Sequence, residues 1–247
     1  MKSNKKIVAI VEARMTSSRL PGKHLMEILG RPILGYLIDR LKTIESIDSI
    51  IIATTKNQTD DVLVEFANNS GVEVYRGDEN DVMGRVLCAA KYFQADIICE
   101  VTGDCPIIDP QLVEQVVQTF LHNKVVYVNN GKQGIPDGMG AQVFSTAALE
   151  KSASQTNELL DREHVTLHIR NNPSQFPAIY IGSMPSMNRP ELAVTLDVRE
   201  DFELIKKIIE YFNMSKPLFG CLDVISLLES KENWIEINSH INRKGDS

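Results

Sequence analysis

The stretch Ile7-Val-Ala-Ile-Val-Glu-Ala-Arg-Met-Thr-Ser-Ser-Arg-Leu-Pro-Gly-Lys23 decides the fold of this chain. Its first five residues, 7–11, are short, apolar and rich in β-branched side chains, which predicts a buried strand. A polar loop follows and carries three cations within ten residues, Arg14, Arg19 and Lys23. In open α/β sheets ligands bind beyond the carboxyl ends of the strands, so this loop is the first candidate site.

Strand-like and helix-like runs alternate after this loop. Further strands are predicted at residues 49–54, 73–75, 97–101 and 125–129. Helices are predicted from Pro32, with Leu34, Leu37, Ile38 and Leu41 on one face, and at residues 81–93 and 110–122. Thr59 is predicted to cap another helix, whose apolar face would be Val62, Phe66 and Leu63. The alternation indicates an α/β protein with a mainly parallel sheet and helices on both faces.

The pattern changes after Asn130. Residues 131–140 hold four glycines and one proline, which predicts a loop. Strands are predicted at 142–145, 179–183 and 193–196, and helices at 161–171 and 201–212. We therefore predict one domain over residues 1–230, with residues of about 130–195 forming a small lid or dimerisation element. The polar tail, residues 231–247, is expected to fray.

Composition excludes several classes of protein. The 247 residues are 43% apolar and 24% charged, which suits a soluble folded chain. A net charge of −7 argues against a general nucleic-acid binder, which needs a broad basic face. The four cysteines form no CxxC pair, which favours reduced thiols in a cytoplasmic protein. The first apolar run is too short for a signal peptide or a membrane span.

The loop after the first strand has the chemistry of a phosphate site. Its two guanidinium groups and one ammonium lie among hydroxyls and accessible backbone N–H groups, contributed by Thr16, Ser17, Ser18 and Gly22. A solvated basic loop is the alternative, and spacing alone does not separate the two interpretations. The loop matches neither the Walker A motif nor GxGxxG.

Two further carboxylates follow predicted strands. Gly103-Asp104 comes directly after the strand at 97–101, and Asp197 follows the apolar run at 193–196. Each is a candidate Mg²⁺ ligand, because Mg²⁺ commonly takes one or two protein carboxylates plus phosphates and water. A turn aspartate is the alternative for Asp104. Asp201 is better explained as an acid that caps the helix beginning there.

These motifs, in this order, resemble the cytidylyltransferase family that makes CMP-activated acidic sugars. Arg19-Leu-Pro-Gly-Lys23, Gly103-Asp104 and Asp197 carry the resemblance, which is closest to the SpsF-type spore-coat polysaccharide proteins and extends to the CMP-KDO and CMP-sialic acid synthetases. The resemblance implies a Rossmann-like, GT-A-like three-layer nucleotidyltransferase fold, a homodimer, CTP as donor, an acidic sugar as acceptor and Mg²⁺ as cofactor. It implies Arg14, Lys23, Asp104 and Asp197 as catalytic residues, the last two as metal ligands. The nucleotide-binding residues that we predict are Ala13, Arg14, Ser17, Ser18, Arg19, Gly22, Lys23, Thr54, Arg76, Asp78, Thr102 and Gly103.

The acceptor side is less defined. Polar residues that suit a sugar's hydroxyls and carboxylate lie at Asn129, Asn130, Asp137, Arg162 and His164, with Lys132 nearby. The KDO enzymes have a glutamine where this chain has Thr102, and the sialic acid enzymes have a phosphate loop poorer in arginine, so neither acid sugar is assigned. His164 and His168 have the spacing of a zinc pair, but a helix surface with one packed histidine is the favoured interpretation.

Two other functions fit parts of the sequence. A GT-A-like glycosyltransferase would share the strand-plus-carboxylate arrangement, yet a nucleotide-sugar donor has no γ-phosphate to match so many cations. A nucleotidyltransferase that uses another base or a sugar phosphate is a further alternative. A non-catalytic nucleotide-binding regulator would not need both Asp104 and Asp197.

Overall fold

Runs of β-branched residues form the centre of the sheet, and the predicted alternation of strands and helices is present. The computed structural model describes residues 5–131, 134–213 and 215–243. Its strands are β1 Ile7–Glu12, β2 Glu27–Ile28, β3 Arg31–Pro32, β4 Ser49–Thr55, β5 Glu73–Gly77, β6 Ile97–Thr102, β7 Tyr127–Asn129, β8 Gln142–Ser145 and β9 Ala178–Tyr180. Its helices are α1 Ile33–Leu41, α2 Asp61–Ser70, α3 Val82–Tyr92, α4 Pro110–His122, α5 Thr146–Gln155, α6 Leu159–Glu163, α7 Leu167–Asn171, α8 Arg199–Phe212, α9 Cys221–Ser230 and α10 Glu232–Ile235.

The seven-stranded sheet has the order β5-β4-β1-β6-β8-β7-β9. β1 lies at its centre and pairs in parallel with β4 and with β6. β8 runs antiparallel to both of its neighbours, whereas β7 and β9 are parallel to each other. The carboxyl ends of β1, β4 and β6 therefore meet at one edge, where Glu12 pairs with Thr102.

Helices cover both faces of this sheet, as predicted. On one face α1, α2 and α4 pack against alternate strand residues such as Ala9, Val11 and Ile52. On the other face α3, α5 and α7 pack against Val8, Ile10 and Ile51. Because both faces are covered, the central strands are apolar throughout rather than alternating. The fold is the expected three-layer α/β architecture.

Residues 130–195 belong partly to this sheet. They supply β8 and β9, and α5 packs on the second face. The segment therefore contributes to the same sheet, and its function as a lid or a dimer element stays a prediction.

Some local predictions are wrong. Thr59 does not cap α2, because a short 3₁₀ turn, Gln58–Asp60, precedes the helix and Asp60 is its cap position. The inward face of α2 is Leu63 and Ala67, while Val62 is 43% exposed. The single helix expected at 161–171 is broken into α6 and α7, because His164 takes an extended conformation between them.

The run at 193–196 is not a strand within the described residues. It makes one isolated bridge, between Ala193 and Asp137. Its apolar side chains Val194 and Leu196 are buried against α8 and α9 rather than in the sheet. An apolar run of four residues fits a buried extended segment as well as a strand, which is why the sequence pattern misled.

Residues 234–237 of the C-terminal segment are packed, contrary to the fraying expected there. Trp234, Ile235 and Ile237 pack against the cluster that α8 and α9 form. No helix in the described ranges is both long and apolar enough to cross a bilayer.

Arg40 ties this outer layer to the sheet domain. Its buried guanidinium donates from Nη1 to the carbonyl oxygens of Ile108 (3.2 Å) and Phe219 (2.7 Å). It also stacks 4.2 Å from the centre of the Phe219 ring. Burial lowers the pKa of Arg40 to about 10, which still leaves it charged at neutral pH.

We expect the Arg40→Leu substitution to lower the free energy of unfolding by about 3 kcal/mol, because it leaves buried carbonyl groups without donors. Urea denaturation would measure the change. Arg31→Leu removes a half-exposed arginine that pairs with Asp39 on the surface, and it should change stability by less than about 0.5 kcal/mol. Equal losses in the two variants would contradict this role for Arg40.

Candidate active site

The loop after β1 folds back on itself. The N–H of Gly22 donates to the carbonyl of Met15 (3.0 Å), and Gly22 has a φ of +73°, in the left-handed region that favours glycine. The next residues, Lys23–Leu25, form a 3₁₀ turn that places Lys23 inward. The tip between these contacts carries Ser17, which is half-buried, and Ser18, which is exposed.

Asp60 anchors this loop to the end of β4. Its buried carboxylate accepts hydrogen bonds from the N–H of Met15 (2.8 Å) and from the hydroxyls of Thr54 (2.9 Å) and Thr55 (2.5 Å). Burial acts to raise the pKa of Asp60, but these hydrogen bonds outweigh burial and hold the pKa below its usual range. Thr54 was predicted to contact the nucleotide, but its hydroxyl donates a hydrogen bond to Asp60. Asp60 was not among the predicted site residues, because its contact with Met15 spans 45 residues of sequence.

Lys23 lies at the centre of the site. Its ammonium contacts Asp104 Oδ2 at 3.0 Å and Asp197 Oδ1 at 3.2 Å, and it donates to the carbonyl of Leu196 at 2.6 Å. Arg19 pairs with the same Asp197 Oδ1 at 2.8 Å. Lys23 therefore contacts both other motifs directly, although it precedes Asp104 by 81 residues and Asp197 by 174.

The charges in this cluster support one another. Burial acts to raise the pKa of Asp104, but Lys23 and a hydrogen bond from Thr102 hold it below its usual range. Burial likewise acts to lower the pKa of Lys23, and the two aspartates outweigh it and raise the value. Lys23 and Asp104 are therefore both charged at neutral pH.

The two aspartates can serve one divalent cation. Both carboxylates converge on a single point, where Lys23 Nζ contacts each of them, and carboxylate oxygens are the ligands that Mg²⁺ takes. Within the described ranges, no cluster of three or more His, Cys, Asp or Glu side chains is arranged to hold a metal ion. A cation held by two carboxylates would therefore complete its shell with oxygens from substrate and water.

Gly103 allows the turn after β6 to lie against β1. Its N–H donates to the carbonyl of Glu12 (2.9 Å), and a Cβ at this position would lie 2.7 Å from that oxygen. The buried His24 donates from Nδ1 to the Gly103 carbonyl (3.2 Å). Burial, with a smaller contribution from Lys23, lowers the pKa of His24 to about 4, so the ring is neutral at physiological pH. Sequence analysis missed His24.

Glu79 contacts the amino-terminal part of the loop after β1. Its carboxylate accepts from Thr16 Oγ1 (2.5 Å) and Asn57 Nδ2 (2.7 Å), and Arg14 Nη1 lies 3.5 Å away. Arg85 donates to the main-chain carbonyl of Asp78 and so supports this turn. Each of the three loop cations is thus paired with a carboxylate of the protein's own.

The remaining nucleotide candidates have structural partners. Arg76 donates to the carbonyls of Thr55 and Asn57, both at 2.8 Å. Asp78 accepts from the N–H groups of Asn80 and Asp81, which makes it a turn residue. Ala13 is buried beside β4, its N–H 3.4 Å from the Ala53 carbonyl. Their contact with a nucleotide stays a prediction.

Asp137 lies near enough to Asp104 and Asp197 to interact electrostatically with both. It is held between main-chain contacts to Leu192 (2.9 Å) and Val194 (2.7 Å). Burial, joined by Asp104 and Asp197, raises the pKa of Asp137 against the opposing effect of Arg243. Of the predicted acceptor residues, Asp137 is the one that the structure places with the central cluster.

Asn129 and Asn130 diverge from one another. Asn129 donates to the hydroxyl of Tyr127 (2.9 Å), which in turn donates to Gln142 (2.7 Å) at the same sheet edge. Thr166 donates to the same Gln142 oxygen (2.7 Å), so a polar network that the sequence did not suggest covers this edge. Asn130 instead bridges main-chain groups of Leu112 and Ala141. Lys132 lies outside the described residues.

Arg162, on α6, and His164, directly after it, lie in the helix layer that contains α3 and α7. Arg162 donates to the carbonyl of Ala153 (2.9 Å) and lies 3.5 Å from Asp81, which caps α3. His164 follows the end of α6, while His168 is on α7 with its Nδ1 3.1 Å from Ser152 Oγ. The two histidines therefore do not share a helical face, as a zinc pair would require. Any contact of Arg162 or His164 with an acceptor stays a prediction.

The fold and this edge of the sheet together place the chain among the nucleotidyltransferases. Residues 8–225 match the family model described as cytidylyltransferase, and the chain belongs to that family.

Three relatives illustrate the family. The uncharacterized protein MJ1063 of Methanocaldococcus jannaschii is 34% identical over 239 residues, 97% of each chain. The spore coat polysaccharide biosynthesis protein SpsF of Bacillus subtilis is 30% identical over 228 residues, 90% of this chain and 93% of SpsF. The 3-deoxy-manno-octulosonate cytidylyltransferase of Geobacter metallireducens is 28% identical, covering 65% of this chain and 69% of its own.

Solved structures agree with the fold. A cytidylyltransferase from Leptospira borgpetersenii superposes with a TM-score of 0.90 and 31% identity, over 97% of this chain and all of that one. A CMP:2-keto-3-deoxy-manno-octonic acid synthetase in complex with CTP has a TM-score of 0.64 and 16% identity, covering 83% of this chain and 99% of its own. The second likeness shows the fold alone.

We expect Gly103→Ala to weaken CTP binding by at least about tenfold, because the added Cβ would displace the turn that carries Asp104. Isothermal titration calorimetry would measure the affinity. Gly182→Ala is the matched control, since a Cβ there meets nothing within 4 Å. Unchanged binding by the Gly103 variant would show that the turn tolerates the shift.

Proposed function

We propose that this protein transfers CMP from CTP to an acidic sugar of the nonulosonic or octulosonic acid class, with Mg²⁺ as cofactor and pyrophosphate as second product. The convergence of Lys23, Asp104 and Asp197 carries the proposal, because it joins the phosphate loop to two carboxylates at one point. The names of the relatives support it: one is an octulosonate cytidylyltransferase and another acts in polysaccharide biosynthesis. A route to surface polysaccharide or glycoconjugate is the corresponding role.

The phosphate loop would bind the triphosphate by exchanging partners. Arg14 and Arg19 now pair with Glu79 and Asp197, at 3.5 and 2.8 Å. Phosphate oxygens would replace these carboxylates as acceptors of the guanidinium hydrogen bonds, which are strong when both groups are charged. Because the side chains are already held near the site, less conformational entropy is lost on binding.

The reaction needs charge neutralisation and alignment. The acceptor hydroxyl would attack the α-phosphorus, a new P–O bond would form, and the bond from that phosphorus to the α,β-bridging oxygen would break. Arg14, Arg19 and Lys23 would stabilise the negative charge on the departing pyrophosphate. Mg²⁺, when bound at Asp104 and Asp197, supplies additional charge neutralisation at the phosphate oxygens. The hydroxyl proton would pass to water.

The acceptor would approach along the edge where the carboxyl ends of β6 and β7 meet the amino end of β8. Asp137 and the network of Asn129, Tyr127 and Gln142 lie along this edge. Hydroxyl, amide and carboxylate groups suit sugar hydroxyls, which need both donors and acceptors. Arg162 and His164 remain our candidates for the acceptor's carboxylate.

We expect pyrophosphate release when CTP, Mg²⁺ and an octulosonic or nonulosonic acid are combined with the protein. UTP, GTP and ATP in place of CTP, and neutral sugars in place of acids, should give much slower release. Asp104→Asn and Asp197→Asn should lower kcat by at least ~10²-fold, as expected for loss of groups that act on transition-state charge.

Asp39→Asn is the matched control for these substitutions, because Asp39 is an exposed partner of Arg31 on α1. Full activity of either aspartate variant at limiting Mg²⁺ would contradict the metal assignment. Glycosyl transfer from a nucleotide sugar without pyrophosphate would instead identify a GT-A-like glycosyltransferase. Activity with another base or a sugar phosphate would redirect the substrate assignment.

We also propose a homodimer through residues of about 130–195. Large apolar side chains are exposed in this segment: Leu159 at 83%, Leu160 at 56% and Met184 at 54%. Exposed apolar side chains grouped on one segment are typical of an interaction surface. A cytoplasmic location stays a prediction.

We expect light scattering after size-exclusion chromatography to give twice the chain mass, and the double substitution Leu159→Asp/Leu160→Asp to give the monomer mass. Leu29→Asp, at another exposed leucine, should leave the dimer intact. A wild-type monomer at micromolar concentration would overturn the dimer.

A further inference from the structure

The buried carboxylate of Asp201, four residues after Asp197, connects Asp197 to the C-terminal segment. Asp201 Oδ2 accepts from the N–H groups of Asp197 (2.8 Å) and Val198 (3.0 Å), so it fixes the main chain that carries Asp197. This acid was expected to cap the helix or lie in its first turn, and it is a first-turn acid that accepts from the N–H of the N-cap residue Val198. Capping alone, however, uses one of its two oxygens.

The C-terminal segment occupies the rest of this carboxylate. Arg243 donates from Nη1 to Oδ2 (2.9 Å) and from Nη2 to Oδ1 (2.6 Å), a two-pronged contact. Asn238 donates to Oδ1 at 2.8 Å. With Asp201 fully buried, such a two-pronged charged pair fixes both distance and orientation.

The same segment holds the other end of the Asp197 loop. Asn238 Nδ2 also donates to the carbonyl of Ala193 at 3.0 Å. Residues 193–201 are therefore clamped at both ends by side chains from beyond α10. Trp234 and Ile235 pack against α8 and α9, and this apolar packing holds the segment that carries Asn238 and Arg243.

Arg243 also reaches the site directly. Its Nη1 lies 4.0 Å from Asp197 Oδ2, the oxygen opposite the one that Lys23 and Arg19 contact. Asp197 is thus approached by cations from both sides. The orientation of the Asp197 carboxylate therefore depends on Lys23 and Arg19 at one oxygen and on Arg243 at the other.

We propose that Arg243 is a positioning residue for Asp197, acting through Asp201, and that the C-terminal segment 231–243 is part of the apparatus that orients the metal carboxylate. The inference rests on the proposed function, since it takes Asp197 as a metal ligand. Groups that orient a ligand from behind commonly change metal affinity by about 10- to 100-fold when removed.

The test measures Mn²⁺ binding to the full chain in the presence of CTP, by electron paramagnetic resonance, beside thermal unfolding of each variant. Arg243→Ala should weaken Mn²⁺ binding about tenfold in protein that is still folded at the assay temperature. Arg243→Lys should fall between this variant and wild type, because it keeps the charge and loses the two-pronged contact. Mg²⁺ needed for half-maximal pyrophosphate release should rise in the same order.

Arg199→Ala is the matched control. It removes a cation two residues from Asp197 that is 64% exposed and pairs with Glu203, so metal binding should match wild type. In a double-mutant cycle, Arg243→Ala should lower Mn²⁺ affinity little further in the Asp201→Asn background. Both substitutions disrupt the same contact between Arg243 and Asp201.

Two results would overturn the inference. Wild-type Mn²⁺ affinity in folded Arg243→Ala, even with a lower Tm, would assign Arg243 a purely structural role. Additive effects of the two substitutions would show that Arg243 does not act through Asp201. Absence of Mn²⁺ binding in the wild-type protein with CTP is a distinct outcome, which would overturn the metal role of Asp197 and with it both proposals.

Discussion

The ammonium of Lys23 joins the three parts of the chain that make the site. It connects the loop after β1, the turn after β6 and the extended segment before α8 through Asp104, Asp197 and the carbonyl of Leu196. A lysine this buried is stable in its charged form because these acceptors replace the water it has lost. Any change in the sheet register or in the packing of α8 would move one acceptor away and leave a buried charge without compensation.

The protein keeps the three cations of the loop after β1 close to its own carboxylates. Glu79, Asp197 and Asp104 each take the position of an anion beside Arg14, Arg19 and Lys23. This arrangement limits repulsion among the three cations and holds the loop near its working geometry. In the proposed function, a triphosphate would displace Glu79 from Arg14, and separating this partly exposed ion pair costs little.

The outer layer of C-terminal helices is part of the same construction. Arg40 bonds to main-chain groups beside α4 and before α9, and Asp109 accepts from the N–H of Cys221 at the start of α9. Asp201 then continues this connection from α8 to the aspartate of the site. The chain after the sheet therefore shapes the site that the sheet presents.

The sequence by itself determined the elements and the chemistry of the first loop. Apolar β-branched runs, helical periodicity and the Arg19–Lys23 motif depend on neighbouring residues, so strands such as β8 and helices such as α4 were predicted with their observed bounds. The order of the motifs was enough to indicate the family and to select Asp104 and Asp197, which the structure brings to Lys23. Only the tertiary structure decided that Asp60 and Glu79 hold the loop, that residues 193–196 are not a strand, and that Arg243 reaches the site. These partners are far apart along the chain, 42 residues in the case of Asp201 and Arg243, and nothing local marks a lone arginine in a polar tail. Their contacts depend on how the layers pack, which no pattern of neighbouring residues records.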